Sequence, residues 1–336
     1  KSAKPFVKWA GGKYKLANDL KKLIHKKFDI TKNTYFEPMV GSGGFYFNLS
    51  PHNAYLSDIN QNLIATYNSI KTDVKALIKK LEEHQKNHNK DYFYEMRDKY
   101  NEIKDVNTVD VASLFIYLNR TCFNGLYREN SNGKFNVPIG SYKNPTICDS
   151  QNLLKVHKNL QNVKIECHGY EQIIKHVKKG DFIYIDPPYI PLDPTSFTKY
   201  SKDNFGIEDH NSLSNFCDEL DKLGAYYMLS NSDTKLTEKI YFKINEKNGQ
   251  FLIFEDEHDN TEAEESTASD TSDEAVVDED EIVPQITGAS GNAGDSTSSK
   301  TINENSTMVH TFTASETVSW SITGGVDSGK VSINET

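Results

Sequence analysis

The chain has 336 residues, 36% of them hydrophobic and 26% charged, with a formal net charge of −10. This length can bury a sizeable core as one large domain or two ordinary ones. No run of about 18 apolar residues is present, which excludes a transmembrane helix, and the cationic start lacks the apolar stretch of a signal peptide, so a cytoplasmic protein is expected.

In chain order, the periodicity predicts a helix over Lys15–Lys26 and strands over Thr34–Glu37 and Ala54–Ser57. Helices follow over Gln61–Gln85, Tyr92–Asn101 and Val109–Asn119. Beyond them come strands over Val163–Cys167 and Phe182–Ile185, a helix over Asn211–Lys222 and a strand over Tyr226–Leu229. Strands alternating with helices predict an α/β fold, a doubly wound, Rossmann-like, mostly parallel sheet with helices on both faces. The helix-rich stretch 61–159 interrupts the alternation and is expected as an inserted subdomain between 1–60 and 160–250. Ligands of such sheets sit beyond the carboxyl ends of the strands, so residues that directly follow strands draw attention.

The charge is unevenly divided. Residues 251–336 carry 19 Asp and Glu against two Lys, a net −17, which leaves 36 basic and 29 acidic residues before them, a net +7. A mildly basic body suits a polyanionic partner. Residues 255–305 are dominated by small, polar and acidic side chains, the composition of a disordered linker. Residues 306–336 read as a β-rich fragment, with one or two strands over Val309–Ile333 loosely similar to the start of an immunoglobulin- or cadherin-like repeat. Cys122, Cys148, Cys167 and Cys217 stand 19 to 50 residues apart with no Cys-x-x-Cys pair. That spacing argues against a zinc site and a disulfide scaffold, and no metal is expected.

Two turns carry chemistry. In Tyr35-Phe36-Glu37-Pro38-Met39-Val40-Gly41-Ser42-Gly43-Gly44 a strand runs into a glycine-rich turn that lets backbone approach a ligand. A plain strand-to-helix turn explains it equally well. The next strand ends at Asp58, where a carboxylate can accept the hydroxyls of a ribose or can cap the helix starting near Gln61. Gly41, Gly43 and Asp58 together suggest an adenosine-containing cofactor. The second turn, Asp186-Pro187-Pro188-Tyr189, ends a buried strand and is stiffened by its prolines, which restrict the backbone and donate no N–H. Asp186 and the Pro187 carbonyl can each accept an N–H of an exocyclic amine, while Tyr189 stacks on its heterocycle.

The segment Asn119–Tyr142 joins Arg120 and Arg128 to Phe123 and Asn124 in a loop rich in Asn and Gly. An Arg can bind guanine bidentately, and a ring can fill the gap left by a flipped base. A solvated hairpin with structural aromatics would look similar.

Asp-Pro-Pro-Tyr with an upstream Phe-Glu-Pro-x-x-Gly-x-Gly resembles the amino-group DNA methyltransferases. Lys8-Trp9-Ala10-Gly11-Gly12-Lys13, Phe115–Arg120 with Phe123–Arg128, Phe135–Tyr142, Phe197–Tyr200 and Leu229–Thr234 are similar to the Dam-type adenine methyltransferases in particular, over about 4–243. The resemblance implies S-adenosylmethionine as methyl donor and adenine N6 in double-stranded DNA as acceptor, with the base flipped out of the helix. It assigns Trp9, Lys13, Glu37, Gly41, Gly43, Asp58 and Asp186 to the cofactor, Lys13 suiting the methionine carboxylate. Asp186, Pro187, Pro188 and Tyr189 become the catalytic turn. Arg128, Leu126 and Pro138 match base-reading positions, Phe123 and Asn124 match residues inserted into the duplex, and Lys8 and Tyr142 match further DNA contacts. Arg120 belongs to the same basic segment. Asn-Gly-Leu-x-Arg and Asn-Val-Pro make GATC, the site of the Dam branch, the expected target. A monomer is expected.

Three departures stand out. His168-Gly169-Tyr170-Glu171 replaces the usual acidic residue after the Val163–Cys167 strand, and Ser141 stands where Dam-type loops often carry a basic residue. After Phe242 the family's closing strands are missing, with Phe251–Phe254 a candidate substitute. The alternative to an active enzyme is therefore a truncated remnant that still binds DNA or cofactor.

Overall fold

The computed structural model describes residues 3–191, 205–244, 248–255, 286–287 and 313–314. Phe197–Tyr200, most of the acidic stretch and most of Val309–Ile333 lie outside the described residues. Residues 1–265 form one compact unit and 266–336 a second. In the second, Ile286–Thr287 pairs antiparallel with Thr313–Ala314.

The first unit is built on a parallel sheet of six strands: β1 Thr34–Glu37, β2 Asn53–Asp58, β3 Val163–Cys167, β4 Phe182–Ile185, β5 Tyr226–Ser232 and β6 Gln250–Glu255. Their order is β3-β2-β1-β4-β5-β6. Every residue of β4 is buried, as a parallel strand covered on both faces requires. Side chains alternate between two cores. Tyr35, Leu56, Phe182, Tyr184 and Met228 face one side, and Phe36, Tyr55, Ile183, Ile185 and Leu229 face the other. The α/β, doubly wound architecture is as the alternation predicts.

The first face is covered by α1 Ala17–Leu23, α2 Gly44–Leu49, α3 Gln61–Asn87, α4 Lys90–Glu102, α5 Val109–Thr121 and α6 Ser150–Leu160. Leu77, Phe93, Val111 and Phe115 belong to the same buried cluster as Tyr35 and Phe182, so the helices of 61–159 share one core with the sheet. Asn60, Asn89 and Thr108 cap α3, α4 and α5 by accepting N–H bonds from Leu63, Tyr92 and Val111 at 2.9, 2.9 and 3.2 Å. The second face packs against α7 Ile207–Leu223 and α8 Lys235–Ile240.

Strand order reverses between β1 and β4, which pair through Tyr35↔Phe182 and Phe36↔Ile183. Their carboxyl ends, Glu37 and the residue after Ile185, open side by side at this switch point. At the other end of the sheet, β6 runs parallel to β5 from Tyr227↔Gln250 to Ser232↔Glu255. The Phe251–Phe254 run thus supplies a closing strand, and β5 is interior.

Two buried histidines give the unit an acid limit. His84 faces Tyr92 OH at 2.8 Å and Ser113 Oγ at 3.3 Å, and His210 faces Tyr241 OH at 2.8 Å. Burial pushes each imidazole down from 6.5 to about 4. A depressed histidine pKa means that the unfolded chain takes up protons first as pH falls. Their stabilising contribution is complete above pH 6.5 and is lost as pH falls through about 4. Each histidine accounts for up to about 3 kcal/mol. Urea midpoints measured from pH 7 to pH 4 should fall steadily over that window, and His84→Gln should flatten the slope.

Candidate active site

The glycine turn after β1 is tight for a physical reason. Gly41 adopts φ +46°, and a Cβ there would lie 2.7 Å from Trp9 Cδ1. The turn is therefore packed against the indole, which in turn stacks on Tyr127 at 5.7 Å between centroids. Gly43, at φ +69°, is the N-cap of α2. Tyr67 OH donates to the Gly41 carbonyl at 3.0 Å and braces the turn from beneath.

Asp58, at the end of β2, does not cap α3; Asn60 does. The Asp58 carboxylate instead accepts the Gly41 N–H at 3.0 Å and the Asn60 N–H at 2.9 Å. It ties the β1 and β2 turns together and remains only partly buried. Burial raises its pKa and the backbone N–H groups oppose the shift. These N–H bonds, with a third from the Ile59 backbone, do not exhaust a carboxylate, which has about four lone-pair sites. Ile59, the next residue, is 80% exposed. The sequence reading missed it, although an apolar residue after a strand-end carboxylate is a visible signal.

Asp186 follows β4 directly. Its Oδ2 lies 3.1 Å from Lys13 Nζ, with the lysine side chain 2% and the aspartate side chain 18% exposed. Lys13 also donates to the Gly11 carbonyl at 2.6 Å and sits 5.0 Å from the centre of the Tyr189 ring. The ammonium thus joins the Asp-Pro-Pro-Tyr turn to the N-terminal segment. Glu37, at the end of β1, is buried and accepts from Tyr35 OH at 2.5 Å. Burial raises its carboxyl to about 8, helped by the nearby Asp186 charge and opposed by the Tyr35 hydrogen bond. The shift favours the protonated form of Glu37 next to the Asp186–Lys13 pair.

After β3, His168 occupies the place of the absent acidic residue. Its Nε2 lies 2.7 Å from Tyr55 OH, and its Nδ1 lies 2.8 Å from the Gly169 carbonyl. Tyr55 also bonds to Glu166. The cluster is linked to the β2 turn by the His168 N–H, which donates to the Asp58 carbonyl at 3.2 Å.

The loop after α5 gathers most of the remaining sequence-predicted residues. Phe123 and Leu126 are 51% and 42% exposed, and Asn124 sits at φ +52°. Phe123 N–H donates to the Pro138 carbonyl at 2.9 Å, and Gly140 N–H donates to Thr121 at 2.8 Å, so 121–126 and 138–142 are zipped together. Arg128 and Pro138 are exposed, and Arg128 Nε donates to Asn136 Oδ1 at 2.8 Å. Lys8 joins the loop through Tyr142, whose OH lies 3.2 Å from its Nζ. Buried Asn119, for which no role is expected from sequence, staples it there. It accepts from Lys8 N–H at 2.7 Å and donates to the Lys8 and Gly125 carbonyls, each at 2.8 Å. Arg120 is not part of this exposed surface. Its guanidinium donates to the Phe6 carbonyl at 3.1 Å and reaches the Pro5 carbonyl at 3.5 Å.

No group of three or more His, Cys, Asp and Glu among the described residues can hold a metal ion, and none of their helices is long and apolar enough to cross a membrane. What the fold and site define is a doubly wound α/β protein with a glycine turn after β1, a carboxylate at the end of β2 and another directly after β4, the layout of an amino-group methyltransferase. The chain belongs to the D12 class N6 adenine-specific DNA methyltransferase family, which it matches over residues 9–253. It is 43% identical over 245 residues to the Type II methyltransferase M.MjaIII of Methanocaldococcus jannaschii, covering 68% of this chain and 84% of the relative. It is 39% identical over 247 residues to the Type II methyltransferase M1.LlaDCHI of Lactococcus lactis subsp. cremoris (72% and 86%). With the DNA adenine methylase of Haemophilus influenzae it shares 35% identity over 243 residues (71% and 82%). The family match runs ten residues beyond the sequence resemblance, which stops at 243, and takes in the first part of β6.

Proposed function

We propose that the chain transfers a methyl group from S-adenosylmethionine to N6 of an adenine flipped out of duplex DNA, within GATC. The observation that carries this reading is Asp186, held by Lys13 at the switch point beside the glycine turn and Asp58. The residues fit the donor: Asp58 retains acceptor sites for a ribose diol, Ile59 offers apolar cover for a flat purine, and Gly41 lets backbone come close. When bound, S-adenosylmethionine supplies an electrophilic methyl group on a sulfonium. Asp186 and the Pro187 carbonyl accept the N–H bonds of the adenine amine, drawing its lone pair out of conjugation and stabilising positive charge that develops on nitrogen. Pro188 keeps the turn stiff, and the Tyr189 ring stacks on the base. Glu37, whose burial favours the protonated form, limits the negative charge beneath the site.

In this reading, residues 1–60 and 160–250 hold the donor and 61–159 read the DNA. Residues 255–305 act as a linker, and 306–336 lie outside the chemistry. Phe123 and Asn124 enter the duplex at the flipped base, a step that costs a few kcal/mol. Leu126, Arg128 and Pro138 read base edges, while Lys8 and Tyr142 hold the backbone. The protein acts as a monomer in the cytoplasm, where its DNA lies.

Arg128 and Arg120 should then behave differently. Arg128→Ala should lower discrimination between GATC and a one-base variant by about 1–3 kcal/mol. Arg120→Ala should lower the melting temperature and leave that discrimination intact, because its guanidinium is turned to the Pro5 and Phe6 carbonyls. Competition binding and thermal melts on both variants decide this.

The function itself is tested with labelled S-adenosylmethionine and two duplexes, one carrying GATC and one with the site scrambled. Label in the GATC duplex alone is expected, with 2-aminopurine fluorescence rising when that base replaces the target adenine. Label in both duplexes sinks the GATC assignment. No label in either, from folded protein that still binds the donor, points to the inactive remnant.

A further inference from the structure

The Asp-Pro-Pro-Tyr turn has an anchoring problem. Pro187 and Pro188 contribute no N–H, so the turn cannot continue the sheet ladder. The β4–β5 pairing accordingly ends at Ile185↔Leu229. β5 runs three residues further, through Ser230, Asn231 and Ser232, all fully buried. Those side chains take over where the ladder stops. Asn231 Oδ1 accepts the Ile190 N–H at 3.0 Å, and Ser232 Oγ donates to the Ile190 carbonyl. Ile190, which directly follows Tyr189, is thus gripped at both backbone groups and is itself buried. Asn231 Oδ1 also accepts Ser232 N–H at 3.0 Å. Two converging N–H donors identify that amide atom as oxygen. Ser230 differs: its Oγ lies 2.9 Å from Tyr184 OH, inside β4.

We infer that Asn231 and Ser232 are positioning residues, a side-chain clamp that fixes the exit of the Asp-Pro-Pro-Tyr turn and so the placement of Asp186 and Tyr189 against the adenine amine. This rests on the methyl-transfer reading above. β6 backs the clamp, since Asn231 pairs with Phe254 and Ser232 with Glu255 on its other side. The closing strand therefore stands directly behind the catalytic turn. Small misplacements of a reacting group can cost on the order of 100-fold in rate, so the clamp should be visible in kcat rather than in ligand affinity.

Ser232→Ala and Asn231→Ala should each lower kcat roughly 10- to 100-fold and leave KM for S-adenosylmethionine and for duplex DNA unchanged. Hydrogen exchange should accelerate at the Ile190 amide. Ser232→Thr, which keeps the hydroxyl, should restore both readouts. Ser230→Ala removes an equally buried hydroxyl from the same strand and serves as the structural control; it should lower the melting temperature while kcat and Ile190 exchange stay at the parent level. The clamp is overturned if Ser232→Ala and Asn231→Ala keep the parent kcat, or if they lose it only in step with the folded fraction. A parent protein that transfers no methyl group sinks the proposed function and with it the positioning role. The exchange arm then reports whether the clamp exists as a purely structural feature, so the two failures are told apart.

Discussion

Asp186→Asn is expected to lower the rate of methyl transfer roughly 10²- to 10³-fold, the usual cost of removing one preorganised electrostatic stabiliser. The amide has nearly the same shape as the carboxylate, so base stacking on Tyr189 and donor binding at Asp58 should persist. In the proposed mechanism, what disappears is the negative charge that stabilises developing positive charge on the adenine nitrogen. The same charge faces the Lys13 ammonium at 3.1 Å, and its removal should also lower stability. Breaking a buried pair costs about 3–5 kcal/mol. Asp186 keeps some solvent contact, so about 2–3 kcal/mol is expected here. Adding Lys13→Met should recover much of that stability and none of the rate. Single-turnover rates and urea midpoints on the single and double variants separate the two effects.

Gly41→Ala should produce the second large effect. The new Cβ would lie 2.7 Å from Trp9 Cδ1 on a residue held at φ +46°. A left-handed conformation costs a non-glycine residue about 1–2 kcal/mol, and overpacking adds about 1–3 kcal/mol. The turn must shift, pulling the Gly41 N–H away from Asp58 Oδ2. Affinity for S-adenosylmethionine, measured by calorimetry, should fall at least tenfold while the far-ultraviolet circular dichroism stays that of the parent. Unchanged affinity would remove the glycine turn from the donor site.

The strands were the most legible part of the sequence. β1, β3 and β4 end where their apolar runs meet Pro, Gly or charged residues, because short buried parallel strands have nowhere else to stop. Helix α2 was illegible for the opposite reason: almost every one of its six residues is buried, so no polar face marks a helical period. Helix α6 did carry a signal, an Asp149 cap followed by Leu153, Val156 and Leu160 on one face, which the sequence reading passed over. Site residues divide in the same way. Asp58 reads in sequence as a cap or a ribose acceptor; the cap is Asn60, and Asp58 accepts the Gly41 and Asn60 N–H groups. Arg120 resembled Arg128 in sequence, yet the direction of its long side chain is set by the Pro5–Phe6 backbone, more than a hundred residues away. The grip of Asn231 and Ser232 on Ile190 depends on β5 outrunning β4, a matter of register that no local pattern encodes.

The most direct test of the central assignment is mass analysis of nucleosides from duplex DNA incubated with the full chain and S-adenosylmethionine. N6-methyl-2′-deoxyadenosine as the sole methylated product, formed roughly 10²- to 10³-fold more slowly by Asp186→Asn, is the expected result. A product methylated at cytosine N4, or N6-methyladenine formed equally well by Asp186→Asn, would contradict it.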